Sequence, residues 1–435
     1  MSFITADDVR NADDFLLVGP GARLTPLARD LANELGVEIR HVNGPAGGAG
    51  NRARVPGRGQ PGAEALASVP AVALDDPSAP ISSSNLALPP SGAMYRRGTP
   101  LAAGIDRGRD VLRSSPPAAT AGSSADRVKV GVVGAGHVGA MTALRLAECN
   151  LFRQVAMVDV TPGLAAGLAL DMWHGSGLCR FDTRVVGDED PTVLSDCRYI
   201  VVTAGSPRKP GMTRTDLTDV NAAVMRSVGS SIAQHAPDAV VVVVTNPLEE
   251  MTHVMQNATG FPSERVIGMA GVLDSARFRA LVGLTGVAAP SRVHAYAMGS
   301  HGPEMVIPLS QATANGRPVS ELIEPTTLAA IVERTRDSGA EVVGLLKTGS
   351  AYFAPAESAA SMVRAMARDS NDVLTACVRS GGAYGLVDTR VGLPVRLRPD
   401  GVDEIVTLDL EPGEIEALQA AAERIAVRVA AAAEG

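Results

Sequence analysis

The chain has few cysteines: Cys149, Cys179, Cys197 and Cys377 are widely spaced and form no Cys-x-x-Cys pair. That spacing excludes a disulfide framework and a zinc ribbon, and no metal site is expected. Positive charge is also short. The formal net charge of −8 argues against a nucleic-acid binder, which needs clustered Lys and Arg to displace counterions. The one basic cluster, Arg52 to Arg58 (RARVPGR), is brief and sits in a Gly/Pro-rich tract. Long apolar runs are missing as well. Even VVVVV at Val240 to Val244 falls far below the roughly 18 residues that cross a bilayer. The opening MSFITADDVRNADD has neither the basic start nor the apolar core of a secretory signal. A soluble cytoplasmic protein with reduced thiols is expected, with no membrane or nucleic-acid partner. Aromatics make up only 3%, yet 46% of the residues are hydrophobic, enough to bury a large core.

Glycine and proline, at 45 and 29 residues, are plentiful, and their placement divides the chain. In residues 1–42, GARLTPLARDLANELGVEI predicts a short helix: Thr25 caps it, Pro26 fits its first position and Gly36 its stop. Leu27, Leu31 and Leu35 recur on one face, so the helix is amphipathic. Too few apolar residues precede Gly44 for an independent core, and the helix needs something to pack against. Residues 43–126, rich in Gly, Pro, Ala and Ser without periodicity, read as a largely disordered linker. From Arg127 the character changes. VKVGVVGAG, QVAMVDV, YIVVTAG and AVVVVVTNP are buried-strand patterns alternating with helical ones, which implies a parallel sheet covered on both faces. After about residue 270, helices mix with short strands (VHAYAMG, GLPVRL, EIVTLDL) before a long Ala-rich helix from about Pro412 to Ala433.

Gly134-Ala135-Gly136-His137-Val138-Gly139 fits G-x-G-x-x-G, follows a strand and opens a helix. Asp159 closes the next strand, twenty residues after Gly139. Glycines let backbone approach a pyrophosphate, whose charge is met by amides and dipole at the helix N-terminus. Asp159 can accept from both hydroxyls of an adenosine ribose and repels a 2′-phosphate, so NAD is favoured over NADP. A tight turn without a ligand is the competing reading, weakened by the strand–loop–helix–acid context. The expected fold class is α/β: an NAD-binding Rossmann domain with a parallel sheet at 127–270, then an α+β substrate domain at 271–435.

Four polar clusters follow. AGSPRKPGMTRTDL (204–217) crowds Arg208, Lys209 and Arg214 into a Gly/Pro-rich loop after a strand, either a lid over substrate or a solvated basic loop. Asn246 in VVTNPLEE either binds substrate and the nicotinamide end or starts a turn before Pro247. In VLDSARFR, Asp274 and Arg277 share a helix face, as a plain intrahelical salt bridge or as a carboxylate fork and a histidine partner. In AMGSHGPEM, His301 sits between glycines: a surface turn, or an imidazole that moves a proton.

The ordered set GAGHVG, VDV, AGSPRKPGMTR, TNP, GVLDSAR, GSHG and KTGSAYFAPA resembles the malate/lactate dehydrogenase family, nearest its lactate-dehydrogenase-like malate dehydrogenase branch, over residues 127–435. The resemblance implies NAD-dependent, reversible oxidation of a 2-hydroxy acid in a homodimer or homotetramer. It makes His301 the acid/base and Asp274 its orienting partner. Arg277 would hold the substrate carboxylate, Arg214 polarise the carbonyl and Asn246 contact substrate and cofactor. Ser350 would lie near that pocket, and Asn221 would join Gly134, Gly136, His137, Val138, Gly139 and Asp159 around the cofactor. Arg208 falls where the family selects substrate; a cation there suits the second carboxylate of oxaloacetate. Lactate or another 2-hydroxy acid, and a non-catalytic NAD-binding or assembly protein, are the alternatives. The chain departs from the family pattern twice: HGPE, with Pro303 and Glu304, stands in place of HGD, and TNPLEE in place of TNPLD. The second change is expected to have little effect. Residues 15–40 are similar to short segments on enzymes of bacterial microcompartments, which implies a contact with shell or cargo and a location inside one; the alternative is a helix that docks on the enzyme's own surface.

Overall fold

The computed structural model describes residues 3–4, 15–18, 23–24, 32, 37–41, 127–207 and 213–434. The chain divides into two compact units, residues 1–89 and 90–435.

In the first unit, Phe15–Val18 pairs in parallel with Glu38–His41, and Phe3–Ile4 with Arg23–Leu24. Parallel strands need a crossover, and Ala32, in helical conformation, lies within it. The Val37 N–H reaches back to Ala32 O at 2.9 Å, the six-to-one bond that closes a helix. Val18, Ala32 and Val37 are buried. The strands of these two short parallel pairs, which the sequence pattern did not suggest, lie to either side of the predicted helix along the chain. Apart from Ala32, the predicted helix at 25–36 lies outside the described residues, as does the predicted linker at 43–126.

In the second unit the sheet strands are β1 (Lys129–Val133), β2 (Gln154–Val158), β3 (Arg184–Asp188), β4 (Cys197–Val202), β5 (Val240–Val243) and β6 (Val266–Gly268), then β7 (Met298–Gly299), β8 (Met305–Val306), β9 (Val373–Arg379), β10 (Arg390–Arg398) and β11 (Gly401–Ile405). The helices that bear on the site are α1 (His137–Glu148), α2 (Leu164–Cys179), α3 (Arg214–His235), α4 (Leu248–Thr259), α5 (Gly271–Leu284), α6 (Pro325–Leu346), α7 (Phe353–Ala367) and α8 (Pro412–Glu434). The sheet has eleven strands in the order β8-β7-β10-β9-β6-β5-β4-β1-β2-β3, with β11 beside β10. From β6 to β3 every pairing is parallel.

Strand order reverses at the β1/β4 boundary, which in a doubly wound sheet opens a crevice at the carboxyl edge. β-Branched runs suit these strands because both faces are covered. Val242 and Val201 belong to one buried cluster with α1 and α7, Val243 and Val202 to another with α3 and α4. Among the later strands, Val293–His294, Thr313–Ala314 and Arg317–Pro318 form a small antiparallel sheet of their own, while β9 continues the eleven-stranded sheet by pairing antiparallel to β6. The join needs little register, a single pair of Gly268 with Cys377.

Candidate active site

The glycine loop leaves β1 at the carboxyl edge. Gly134 has φ +96°, a conformation L side chains rarely adopt, and a Cβ there would lie 2.7 Å from Ala204 N. A Cβ on Gly139 would fall 1.8 Å from Gly134 O, so α1 packs against its own loop only with glycine. Gly136 differs: nothing lies within 4 Å of its Cβ position. The protein itself does not require glycine there, and a ligand that must approach the backbone does. This open cradle, with exposed His137 and half-buried Val138 opening α1, fits a pyrophosphate. Asp159 follows β2 and braces the same loop, accepting from Ala135 N–H at 2.7 Å and Thr161 N–H at 2.8 Å. Partial burial works against its charge, but those two backbone donors hold the carboxyl below the usual carboxylate range.

The His301–Asp274 pair is assembled by close packing of α5 on the strand before His301. Gly271 is needed because a Cβ would lie 2.1 Å from Ala297 O, and Ser275 Oγ accepts from Ala297 N–H at 2.9 Å. One turn along, Asp274 is 1% exposed and His301 17%. His301 Nδ1 lies 2.7 Å from Asp274 Oδ2, and the Arg277 guanidinium donates to Asp274 Oδ1 at 3.1 Å. Burial lowers the imidazole pKa and Arg277 adds to that, but the Asp274 charge and hydrogen bond outweigh both, with a smaller push from Glu249. The net shift is upward. Asp274 thus makes both the intrahelical bridge and the histidine contact that its position on the sequence left open.

Asn246 is exposed at the end of β5, and its carbonyl accepts from Asn221 Nδ2 at 2.7 Å. Asn221, 1% exposed, spends the rest of its amide on Ser206, accepting from its N–H at 2.7 Å and donating to its carbonyl at 3.2 Å. It therefore stands behind the site and ties the root of the basic loop to Asn246. Arg208 and Lys209 lie outside the described residues, and of Arg214 only the backbone is described. That backbone opens α3, where Thr213 and Asp216 form a capping box. Ser350 is exposed between α6 and α7, two residues before Tyr352, whose ring centroid is 5.1 Å from that of His137.

Sequence reasoning missed the residues that carry the histidine loop. The His301 N–H donates to Glu249 Oε1 at 2.7 Å. Burial pushes the Glu249 carboxyl up, against the pull of that N–H. Glu304 accepts from Ser300 Oγ at 2.9 Å and from Arg428 at 2.9 Å, and Arg428 also donates to Glu250 at 3.2 Å. The doubled acid of TNPLEE was the available signal for Glu249 and Glu250. Nothing local marks Arg428.

Residues 128–268 match the lactate/malate dehydrogenase NAD binding domain, and residues 271–434 the alpha/beta C-terminal domain of the same proteins. The chain belongs to the lactate/malate dehydrogenase family. Its cofactor is NAD, and the glycine loop and Asp159 lie within the NAD-binding match. A malate dehydrogenase of Thermomicrobium roseum is 46% identical over 299 residues, covering 69% of this chain and 96% of that protein. The solved malate dehydrogenase of Salinibacter ruber is 38% identical with a TM-score of 0.66, covering 69% of this chain and 96% of that one. A lactate dehydrogenase of Cryptosporidium parvum, solved with lactic acid and nicotinamide adenine dinucleotide, is 32% identical with a TM-score of 0.68, covering 71% and 99%. Among the described residues no helix is long and apolar enough to cross a membrane.

Proposed function

We propose that the chain is an NAD-dependent malate dehydrogenase that interconverts (S)-malate and oxaloacetate. The observation that carries this reading is the buried Asp274 shared between His301 and Arg277, in a chain whose glycine turn leaves an open dinucleotide cradle. With Nδ1 engaged by Asp274, Nε2 of His301 is the atom that takes the hydroxyl proton from malate and returns it to oxaloacetate. Arg277 holds the C1 carboxylate in a fork and Arg214 polarises the carbonyl. Asn246 orients substrate against cofactor, and Ser350 borders the pocket. Arg208 meets the second carboxylate, which lactate and pyruvate lack; an unpaired cation beside a methyl group is costly. When bound, NAD exchanges a hydride with carbon 2 of the substrate. Gly134, Gly136, His137, Val138, Gly139 and Asp159 hold it, and Asn221 acts through Asn246. Residues 127–270 carry the cofactor side of the site and 271–435 the substrate side.

A homodimer or homotetramer is supported by the apolar surface of α2, where Leu170, Trp173 and Leu178 are exposed. We assign residues 15–40 a docking role toward a microcompartment shell or its cargo, supported by their position in a separate compact unit. NADH absorbance loss with matched oxaloacetate and pyruvate tests the central reading. Strong preference for oxaloacetate is expected. Preference for pyruvate places Arg208 outside the pocket, and silence with both in protein that binds NADH favours a non-catalytic role.

A further inference from the structure

The two stretches where the chain departs from the family pattern meet in space. HGPE and TNPLEE are joined by one side chain from the C-terminal helix, Arg428 of α8. The His301 loop is the turn of a short hairpin, with Met298 opposite Val306 and Gly299 opposite Met305. Gly299, at φ +78°, lets the chain cross itself: a Cβ there would lie 2.5 Å from Glu304 O. The tip carries His301 and exposed Pro303, the base carries Glu304. Glu304 is held from inside the hairpin by Ser300 Oγ and from outside by Arg428, with Arg424 Nε 3.9 Å away. Burial alone would raise its carboxyl, but Ser300 and Arg428 hold it below the usual range. Arg428 is mostly buried, and its Nε is fixed on Glu250, at the first turn of α4 directly after Asn246 and Pro247. The neighbouring Glu249 takes the His301 N–H.

We propose that Arg428 is a positioning residue: by clamping Glu304 at the hairpin base to Glu250 beside Asn246, it fixes the height of His301 relative to the substrate-contacting end of β5. The inference rests on the proposed dehydrogenase reading. It explains how a loop stiffened by Pro303 keeps a defined pose, with ion pairs at its base in place of an acid at its tip. A guanidinium suits the task because its fork addresses two carboxylates at once. Errors of about 1 Å in a reacting group cost up to ~100-fold in rate, so a loosened hairpin acts on turnover more than on cofactor binding.

The test uses the full-length enzyme. Arg428→Met is expected to lower kcat for oxaloacetate about tenfold while KM for NADH stays within about twofold, and Arg428→Lys to recover much of the loss. Amide hydrogen exchange in a peptide spanning Ser300–Met305 is expected to quicken in Arg428→Met. Glu304→Gln is expected to show the same pattern, and the double variant to lose no more than the single ones. Wild-type kcat and unchanged exchange in Arg428→Met overturn the proposal, as does a loss that Lys fails to rescue and that tracks a fall in Tm. If Arg428→Met does not fold, Glu304→Gln decides by the same two readouts. If the wild type does not turn over oxaloacetate, the malate reading fails, while the exchange measurement still decides the clamp.

Discussion

In the proposed mechanism Asp274 is the residue on which the chemistry turns, because its two oxygens serve different partners: Oδ2 faces His301 Nδ1 and Oδ1 accepts from Arg277. Asn at that position keeps the shape but presents an N–H where a carboxylate oxygen stood, and favours the wrong imidazole tautomer. Asp274→Asn is expected to lower kcat by roughly 10²–10⁴-fold, the scale seen when an orienting carboxylate is neutralised. With His301 as the proposed proton donor, oxaloacetate reduction needs its protonated form, so activity is expected to fall as pH rises through the raised imidazole pKa. Removing the Asp274 charge moves that alkaline limb to lower pH, and a kcat/KM profile against pH measures the shift. The pair also ties stability to pH. Because the folded-state pKa of His301 is raised, its contribution is fully present below the ordinary imidazole value near 6.5 and is lost as pH rises through the raised value. Urea melts of wild type and Asp274→Asn should therefore differ most in mild acid and converge toward alkaline pH.

At the scale of elements, the β1–α1 turn separates glycines that the fold needs from one that the ligand needs. Gly139→Ala sets a Cβ 1.8 Å from Gly134 O and is expected to destabilise by several kcal/mol, since overpacking alone costs about 1–3 kcal/mol. Gly136 has φ −67° and open space, so Gly136→Ala should melt like wild type yet bind NADH at least about tenfold more weakly. Thermal melts paired with NADH titration separate the two; equal effects on both readouts would refute the distinction. This turn was legible in the sequence because its glycines are contiguous in a recognisable spacing and its bracing acid closes the next strand. The Asp274–His301 contact spans 27 residues and was reached through resemblance, since spacing alone favoured a plain salt bridge and a surface turn. The clamp was not legible at all: Arg428 meets Glu304 across 124 residues and Glu250 across 178, and no periodicity in an Ala-rich helix marks an arginine as internal. The strands at Phe15–Val18 and Glu38–His41 were hidden differently. Each is four residues long, too short for alternation to speak against the stronger helical signal between them.

For the whole molecule, the question is what the N-terminal unit does for the enzyme. The eleven-stranded sheet, the buried clusters on its two faces, the cradle and the His301–Asp274 pair are all built from residues after 126. The family match begins at residue 128 and ends at 434, so both the NAD-binding and the C-terminal domain matches lie in that stretch. Val18, Ala32 and Val37 in turn give the N-terminal unit buried apolar side chains of its own. Residues 127–435 alone are therefore expected to melt within a few degrees of the full chain, a shift worth no more than about 1–2 kcal/mol for a domain of this size. Their kcat for oxaloacetate should stay within about twofold. A targeting or docking role predicts that loss of residues 1–126 changes where the enzyme goes and not how it works. A unit that instead shields the enzyme's own apolar surface predicts a large fall in Tm and aggregation on its removal. Melting curves and steady-state rates of the two chains, side by side, distinguish a dispensable address from a structural part.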